Sequence, residues 1–320
     1  MRFGSAPLGH NPRMTTAATP LPVSPSADDG LALRYYDVTS PDGTRLRAWT
    51  NDVEGPTVLL CNGLGTNPFA WPALLDPDCG VRVISWNHRG TGGSERPANP
   101  EDVGVEPFVD DAIAVLDDAG VDACVLMGWS IGVNTMFEVA VEHPDRVTGL
   151  FAVGGVPGDT FASMGAPMLI PRPFRKPIAV NTARMLKVAG KPMHAIGHRL
   201  PIGPITYEVL THTGFMMPTP HAETTRRAVK EFLTTPTDWY MHLALHSSLH
   251  LRVSLRTISV PTSFVAGKFD ILASSYDMRT AAERITGARY QELRASHFLP
   301  MEKPEEVHEA LLDLLDRVPG

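Results

Sequence analysis

The chain has 320 residues, 43% hydrophobic and 20% charged, with a formal net charge of −7. That is enough apolar material for a sizeable core in one large or two smaller domains. The negative balance argues against general nucleic-acid binding, which needs a positive surface for phosphates, and no stretch approaches the roughly 20 apolar residues of a membrane span.

In chain order, residues 1–28 are rich in Pro, Ser, Thr and Ala and lack the roughly 7–15-residue apolar region of a secretory signal. They are expected to form a weakly structured tail, with Met14 an alternative start. From Leu31 the pattern turns regular. "ALRYYDVTS" and "RLRAWTND" alternate about the turn "PDGT" and predict a β-hairpin. "TVLLCNG" and "VRVISWN" are short apolar runs suited to strands buried on both faces. "PFVDDAIAVLDDAG" has helical spacing and ends at Gly120, a C-cap candidate. "DACVLMG" predicts a strand, "GVNTMFEVAVEHP" a helix stopped before Pro144, and "VTGLFAVGG" another strand.

A long irregular block follows, with helical pieces "TTRRAVKEFL" and "DWYMHLALHSSLH". The alternation then resumes with strand "ISVPTSFVAGKFD", helix "YDMRTAAERITG", strand "ARYQELRA" and helix "EKPEEVHEALLDLLDRV". Strands alternating with helices predict an α/β fold, a mostly parallel, doubly wound sheet. The expected organisation is a tail over 1–28, a core over 29–155 and 256–320, and a helical cap over 156–255 inserted between two strands.

The run "CVLMGWSIGV" sets Ser130 between Gly128 and Gly132, where a strand turns directly into a helix. Such a turn forces the serine toward positive φ, and side chains at 128 and 132 would collide. The strain lifts the hydroxyl clear of the sheet's carboxyl edge, where open α/β sheets bind ligands. A serine hydroxyl needs a base to become a nucleophile, and the base needs an orienting acid. On this architecture the acid and then the histidine follow the serine in the chain. Asp270 ends one strand and His297 follows the next, both at carboxyl ends. Two backbone amides should hold the oxyanion: Ile131 at the helix start, and Leu64 in the "NGLG" loop. Asn62, Gly63 and Trp129, which flank these donors, are the expected substrate contacts.

Taken together, these features resemble the α/β-hydrolase fold enzymes over nearly everything from about residue 31 onward. The likeness rests on "NGLG" (usually His-Gly-x-Gly), "NHRGTGGS" (usually Asp-x-Arg-Gly-x-Gly-x-Ser), "GWSIG", "GKFD" and "SHFLPMEKPEEV", in that order. It implies a Ser130–Asp270–His297 triad with the Leu64 and Ile131 amides as the oxyanion hole. Asn62 stands in place of the usual His and Asn87 in place of the usual Asp. Serine at the elbow argues against haloalkane dehalogenases and epoxide hydrolases, whose members carry Asp there.

The cap carries Met164, Met168, Met185, Met193, Met216, Met217 and Met241, which suit either an adaptable apolar pocket or the cap's own core. His242, His246 and His250 share a helix face and could bind metal, but no carboxylate or cysteine joins them, which favours a half-buried polar face. Between Asp159 and Glu208 there is no acidic residue, whereas Arg172, Arg175, Lys176, Arg184, Lys187, Lys191 and Arg199 fall there. That stretch reads as a solvated face or as an attractor of anionic substrates or lipid.

The expected function is a serine hydrolase cleaving a carboxylic ester or lactone with an apolar acyl part, through an acyl-enzyme. Amidase, aminopeptidase and cofactor-free perhydrolase chemistry on the same triad remain open, as does a non-catalytic binding role. Neither metal nor organic cofactor is implied. The expected partner is a small-molecule substrate, with no nucleic acid and no transmembrane segment; a homo-oligomer is left open. Three cysteines, with Cys61 and Cys124 inside strand-like runs, read as reduced thiols in a cytoplasmic protein.

Overall fold

The computed structural model describes residues 30–197, 208–209, 211–212 and 215–319, so the expected tail and Arg199 lie outside the described residues. The hairpin about "PDGT" pairs β1 (Arg34–Thr39) antiparallel with β2 (Arg45–Thr50). β2 also pairs antiparallel with β4 (Arg82–Trp86). The other strands, β3 (Thr57–Cys61), β5 (Cys124–Trp129), β6 (Val147–Val153), β7 (Thr262–Gly267) and β8 (Arg289–Leu293), pair in parallel. The order across the sheet is β1-β2-β4-β3-β5-β6-β7-β8.

Strand side chains point alternately to opposite faces, so a strand covered on both sides must be apolar throughout. β3 shows this directly. Leu59 and Cys61 enter one core, while Val58 and Leu60 enter the other. The first core lies under α1 (Val105–Asp118), α2 (Gly132–Glu142) and the later helix at Ser275–Ala282. The second lies under the short turns at Pro68–Leu75 and the final helix at Pro304–Leu315. Gly120, the expected C-cap of α1, takes φ +63 just past the helix end.

β3 sits between β4 and β5, so the chain winds first to one side of it and then to the other. The crevice at such a reversal is where open α/β sheets bind ligands, and Ser130 stands there at the end of β5.

Between β6 and β7, which are neighbours in the sheet, the chain inserts α3 (Thr160–Ser163), α4 (Arg172–Gly197), α5 (Ala222–Phe232) and α6 (Thr237–Ser247). The sequence pattern marks α5 and α6 but not the 26-residue α4, whose basic and apolar residues follow no simple inward face. α4 packs on α6, and a Cβ at Gly190 would lie 2.5 Å from the Asp238 amide nitrogen. A third apolar cluster joins Phe161, Ala183, Trp239 and Leu243 of the insertion to Leu64, Phe108 and Ile131. The chain closes with α7 (Ser275–Ala282), α8 (Leu299–Glu302) and α9 (Pro304–Leu315). Among the described residues no helix is long and apolar enough to cross a membrane. All three cysteines are free and buried, and burial pushes the Cys124 thiol up to about 12.

Candidate active site

Ser130 adopts φ +57, in the left-handed region that non-glycine residues rarely occupy. Its amide donates to the Val153 carbonyl at 3.0 Å and its carbonyl accepts from Val133 at 3.1 Å, so strand and helix both hold the turn. A Cβ at Gly128 would sit 2.7 Å from the Val133 Cα. At Gly132 the obstacle is different from the expected strand–helix collision. A Cβ there would be driven into the Cys61 carbonyl, because α2 starts hard against the end of β3.

His297 Nε2 lies 2.8 Å from Ser130 Oγ, and His297 Nδ1 lies 2.9 Å from Asp270 Oδ2. Asp270 is 1% exposed and its other oxygen accepts the Leu272 and Ala273 amides, each at 2.8 Å. That carboxylate is therefore fixed before it meets the imidazole. With an acceptor on Nδ1, the tautomer that suits the site carries its proton there and leaves Nε2 to take the serine proton. Asp159, after β6, instead meets Lys176 Nζ at 2.8 Å and stands away from this chain of bonds. Leu64 and Ile131 are both buried, and among the described residues neither amide donates to a backbone carbonyl.

A model of the alpha/beta hydrolase fold family matches residues 56–176. An enol-lactonase from Burkholderia xenovorans superposes with a TM-score of 0.63 at 24% identity, covering 88% of this chain and all of that one. An esterase from Exiguobacterium antarcticum gives 0.64 at 19%, covering 88% of this chain and 100% of the other. The chain has the α/β-hydrolase fold. In sequence it is 28% identical over 308 residues to Epoxide hydrolase A of Mycobacterium tuberculosis, covering 86% of this chain and 95% of that protein.

Within this fold, the three expected substrate contacts sit differently from the expectation. Trp129 is 1% exposed, and its Nε1 donates to the His297 carbonyl at 3.1 Å. It supports the histidine loop from below, with Trp71 edge-on at 5.8 Å. Asn62 is equally buried, its Oδ1 accepting from the Gly63 amide and from Trp71 Nε1. Gly63 is buried and its carbonyl accepts from the Thr66 amide. Asn62 and Gly63 thus hold the loop that carries Leu64, and Trp129 packs against it, its ring 3.1 Å from where a Cβ on Gly63 would lie.

Other supports had little or no signal in the sequence. Glu302 accepts the Ser296 amide at 2.7 Å and the Ser296 hydroxyl at 2.6 Å, beside His297, and also the Met217 amide at 2.8 Å. One buried carboxylate thus ties the histidine loop to the insertion. The "SHFLPMEKPEEV" pattern flags its position but not its partners. Asn134 of α2 bridges the Gly158 amide and the Thr160 hydroxyl. Asn87 donates to the Gly92 carbonyl at 2.7 Å, and Arg89 makes a buried pair with Asp111. Trp239 of α6 donates to the Arg89 carbonyl at 2.9 Å, which seats the insertion on the same loop.

Carboxylates do join these histidines, contrary to the expectation, and His250 lies past the end of α6. Glu101 lies 3.3 Å from His246 and Glu138 3.2 Å from His250, both brought in from elsewhere in the chain. Glu101, His242 and His246 offer donor atoms within 4.8 Å of one another. His242 already meets the Pro100 carbonyl and, at 2.8 Å, the Lys187 ammonium, which a bound cation would have to displace. Burial holds the His246 and His250 imidazoles below their ordinary range.

Proposed function

We propose that the chain is a serine hydrolase for carboxylic esters or lactones with an apolar acyl part. Hydrolytic chemistry is supported by the fold and the relatives. The narrower reading is carried by one observation: Ser130, strained at the end of β5, has its hydroxyl on His297 and the imidazole in turn on buried Asp270.

In this reading His297 takes the Ser130 proton as Oγ attacks the substrate carbonyl. The developing oxyanion is met by the Leu64 and Ile131 amides. His297 passes its proton to the leaving alkoxide, giving an acyl-enzyme. It then deprotonates a water that releases the acid and restores the serine. Asp270 steadies the imidazolium in both halves.

The same chemistry separates this chain from the activity named for its mycobacterial relative. An epoxide opened by a carboxylate gives an ester, which water can cleave. An epoxide opened by Ser130 would give an ether, which this machinery cannot hydrolyse. An acyl group on serine has no such dead end.

Residues 156–255 serve in this reading as a cap that sets substrate choice. Phe161, Trp239 and Leu243 pack with Leu64 and Ile131, which supports an apolar surround for the acyl part. Met168 and Met185 do not contribute, being 61% and 73% exposed. Met164 and Met241 pack on that cluster, and Met216 is buried in the second core.

The test is a panel of p-nitrophenyl esters, lactones and aminoacyl anilides, run beside an active-site-directed fluorophosphonate. Ester or lactone turnover with a single adduct on Ser130 is expected. Faster anilide than ester cleavage would promote the amidase alternative, and a folded protein that neither turns over nor labels would leave a binding role.

A further inference from the structure

α4 wears its apolar residues on the outside. Phe174, Ile178, Met185 and Val188 are between 49% and 86% exposed. At 3.6 residues per turn these four positions share about 80° of arc. Ala183 and Gly190, on the opposite side, face the protein. The helix is therefore apolar on its buried face and again on its outward face. Arg184, exposed, and Arg175, half-buried, flank the outward stripe. Met168 and Leu169, just before the helix, extend it. Exposed Asn181 falls on the same arc between the two pairs, yet a soluble monomer rarely exposes this many large apolar side chains on one helix face without use.

A second feature adjoins the N-terminal end of α4. A cavity of about 190 Å³ is lined by Arg172, Arg252, Arg284, Tyr276, Asp159 and Asp277. Arg172 lies 3.3 Å from Asp277, and Lys176 engages Asp159. Arg252 and Arg284 have no carboxylate partner among the described residues. Tyr276 of its lining is exposed.

Charge decides what could cover this surface. The chain carries −7 overall, yet no acidic residue occurs between Asp159 and Glu208, and among the described side chains there Arg175 and Arg184 border the stripe, while Arg172 and Lys176 are paired with Asp277 and Asp159 and Lys187 turns inward to His242. Two copies meeting about a two-fold axis would bring like charges together. An anionic bilayer neutralises them, while the stripe enters the boundary between headgroups and acyl chains. We propose that the outward stripe of α4, with the arginine-lined cavity at its end, is an interfacial docking surface for an anionic lipid bilayer. The helix lies in the plane of the surface and the cavity receives a lipid phosphate. Esters dissolved in or drawn from the membrane are then delivered beside the site. Docking itself does not rest on the reading of Ser130, and it is measured on binding alone.

The full chain is floated with vesicles of phosphatidylcholine and phosphatidylglycerol in equal parts, and with vesicles of phosphatidylcholine only. Binding to the mixed vesicles is expected at low salt, weaker by about tenfold or more on the neutral ones and at high salt. The Phe174→Ser/Ile178→Ser/Val188→Ser variant should lose binding by about tenfold or more. Its melting temperature and its turnover of a water-soluble ester should stay unchanged. Arg252→Glu/Arg284→Glu should weaken only the phosphatidylglycerol-dependent part. The proposal is overturned if the full chain does not bind the mixed vesicles, or if the triple variant binds as the parent does. It is also overturned if gel filtration shows a dimer that the triple variant abolishes and no vesicle binding accompanies it.

Discussion

The sheet and the insertion use apolar residues in opposite ways. In β3, β5 and β6 every apolar side chain enters one of two cores, so the strands are held from both faces. The helix α4 buries one narrow face and turns an equally apolar one to solvent. A strained backbone such as that at Ser130 persists only where surroundings over-determine it. The sheet provides that rigidity, and the insertion provides a surface whose composition is free to answer to something outside the protein.

Five predictions test that contrast, beginning with the largest effect. Ser130→Ala should lower ester turnover by a factor on the order of 10⁶ while leaving the melting temperature within a few degrees, since the elbow is held by its neighbours. Unchanged kcat in a folded variant would remove Ser130 from the chemistry. Asp270→Asn should lose on the order of 10⁴ in kcat by favouring the wrong imidazole tautomer. Asp159→Asn, paired only with Lys176, should lose little. If Asp159→Asn proved the crippling change, the acid would lie after β6 instead.

The third prediction concerns the loop after β4. Arg89 and Asp111 are 1% and 0% exposed and bonded through several nitrogens and oxygens. Asp111→Ala would leave the buried guanidinium with only the partly exposed Asp42 as a carboxylate partner among the described residues and should cost about 3 kcal/mol in urea unfolding. A cost within that of an ordinary surface change would show that the pair is dispensable.

The fourth follows from His88, whose imidazole is pushed down to about 4 by burial against Phe108. Between the ordinary histidine range near ~6.5 and about 4 the unfolded chain binds a proton that the native one refuses. Stability should therefore drop as pH falls through that window, by on the order of 3 kcal/mol at its lower end. His88→Phe should remove this component; an identical pH dependence in parent and variant would sink the assignment.

The smallest expected effect lies in the insertion. Each methylene added to the acyl chain should raise kcat/KM by up to about fourfold until the apolar surround is filled. Leu243→Ala should shift that optimum toward longer chains, because it enlarges the cluster shared with Leu64 and Ile131. A flat profile in both would mean that the insertion does not grade substrates by length.

What could be read from the sequence follows a physical divide. Strand alternation, the glycine-flanked Ser130 and the order of Ser130, Asp270 and His297 are local or nearly local patterns, and they announce the sheet and the candidate site. Trp129 shows where that legibility stops. Its place beside the serine suggests a substrate contact, but its indole reaches across 168 positions to the His297 carbonyl. Glu302 is similar, lying in a recognisable pattern whose partners Ser296 and Met217 come from a nearby loop and a remote one.

By itself, then, the sequence determined the α/β sheet, its inserted helical block and a strained serine at a strand's carboxyl end. Periodicity and turn chemistry act over a few residues and need no partner. Only the tertiary structure decided which buried polar groups brace the site, that Glu101 and Glu138 meet His246 and His250, and that α4 turns a second apolar face outward. Those outcomes depend on distant segments arriving at one place, and burial there sets which side of a helix is covered and which is left to meet another surface.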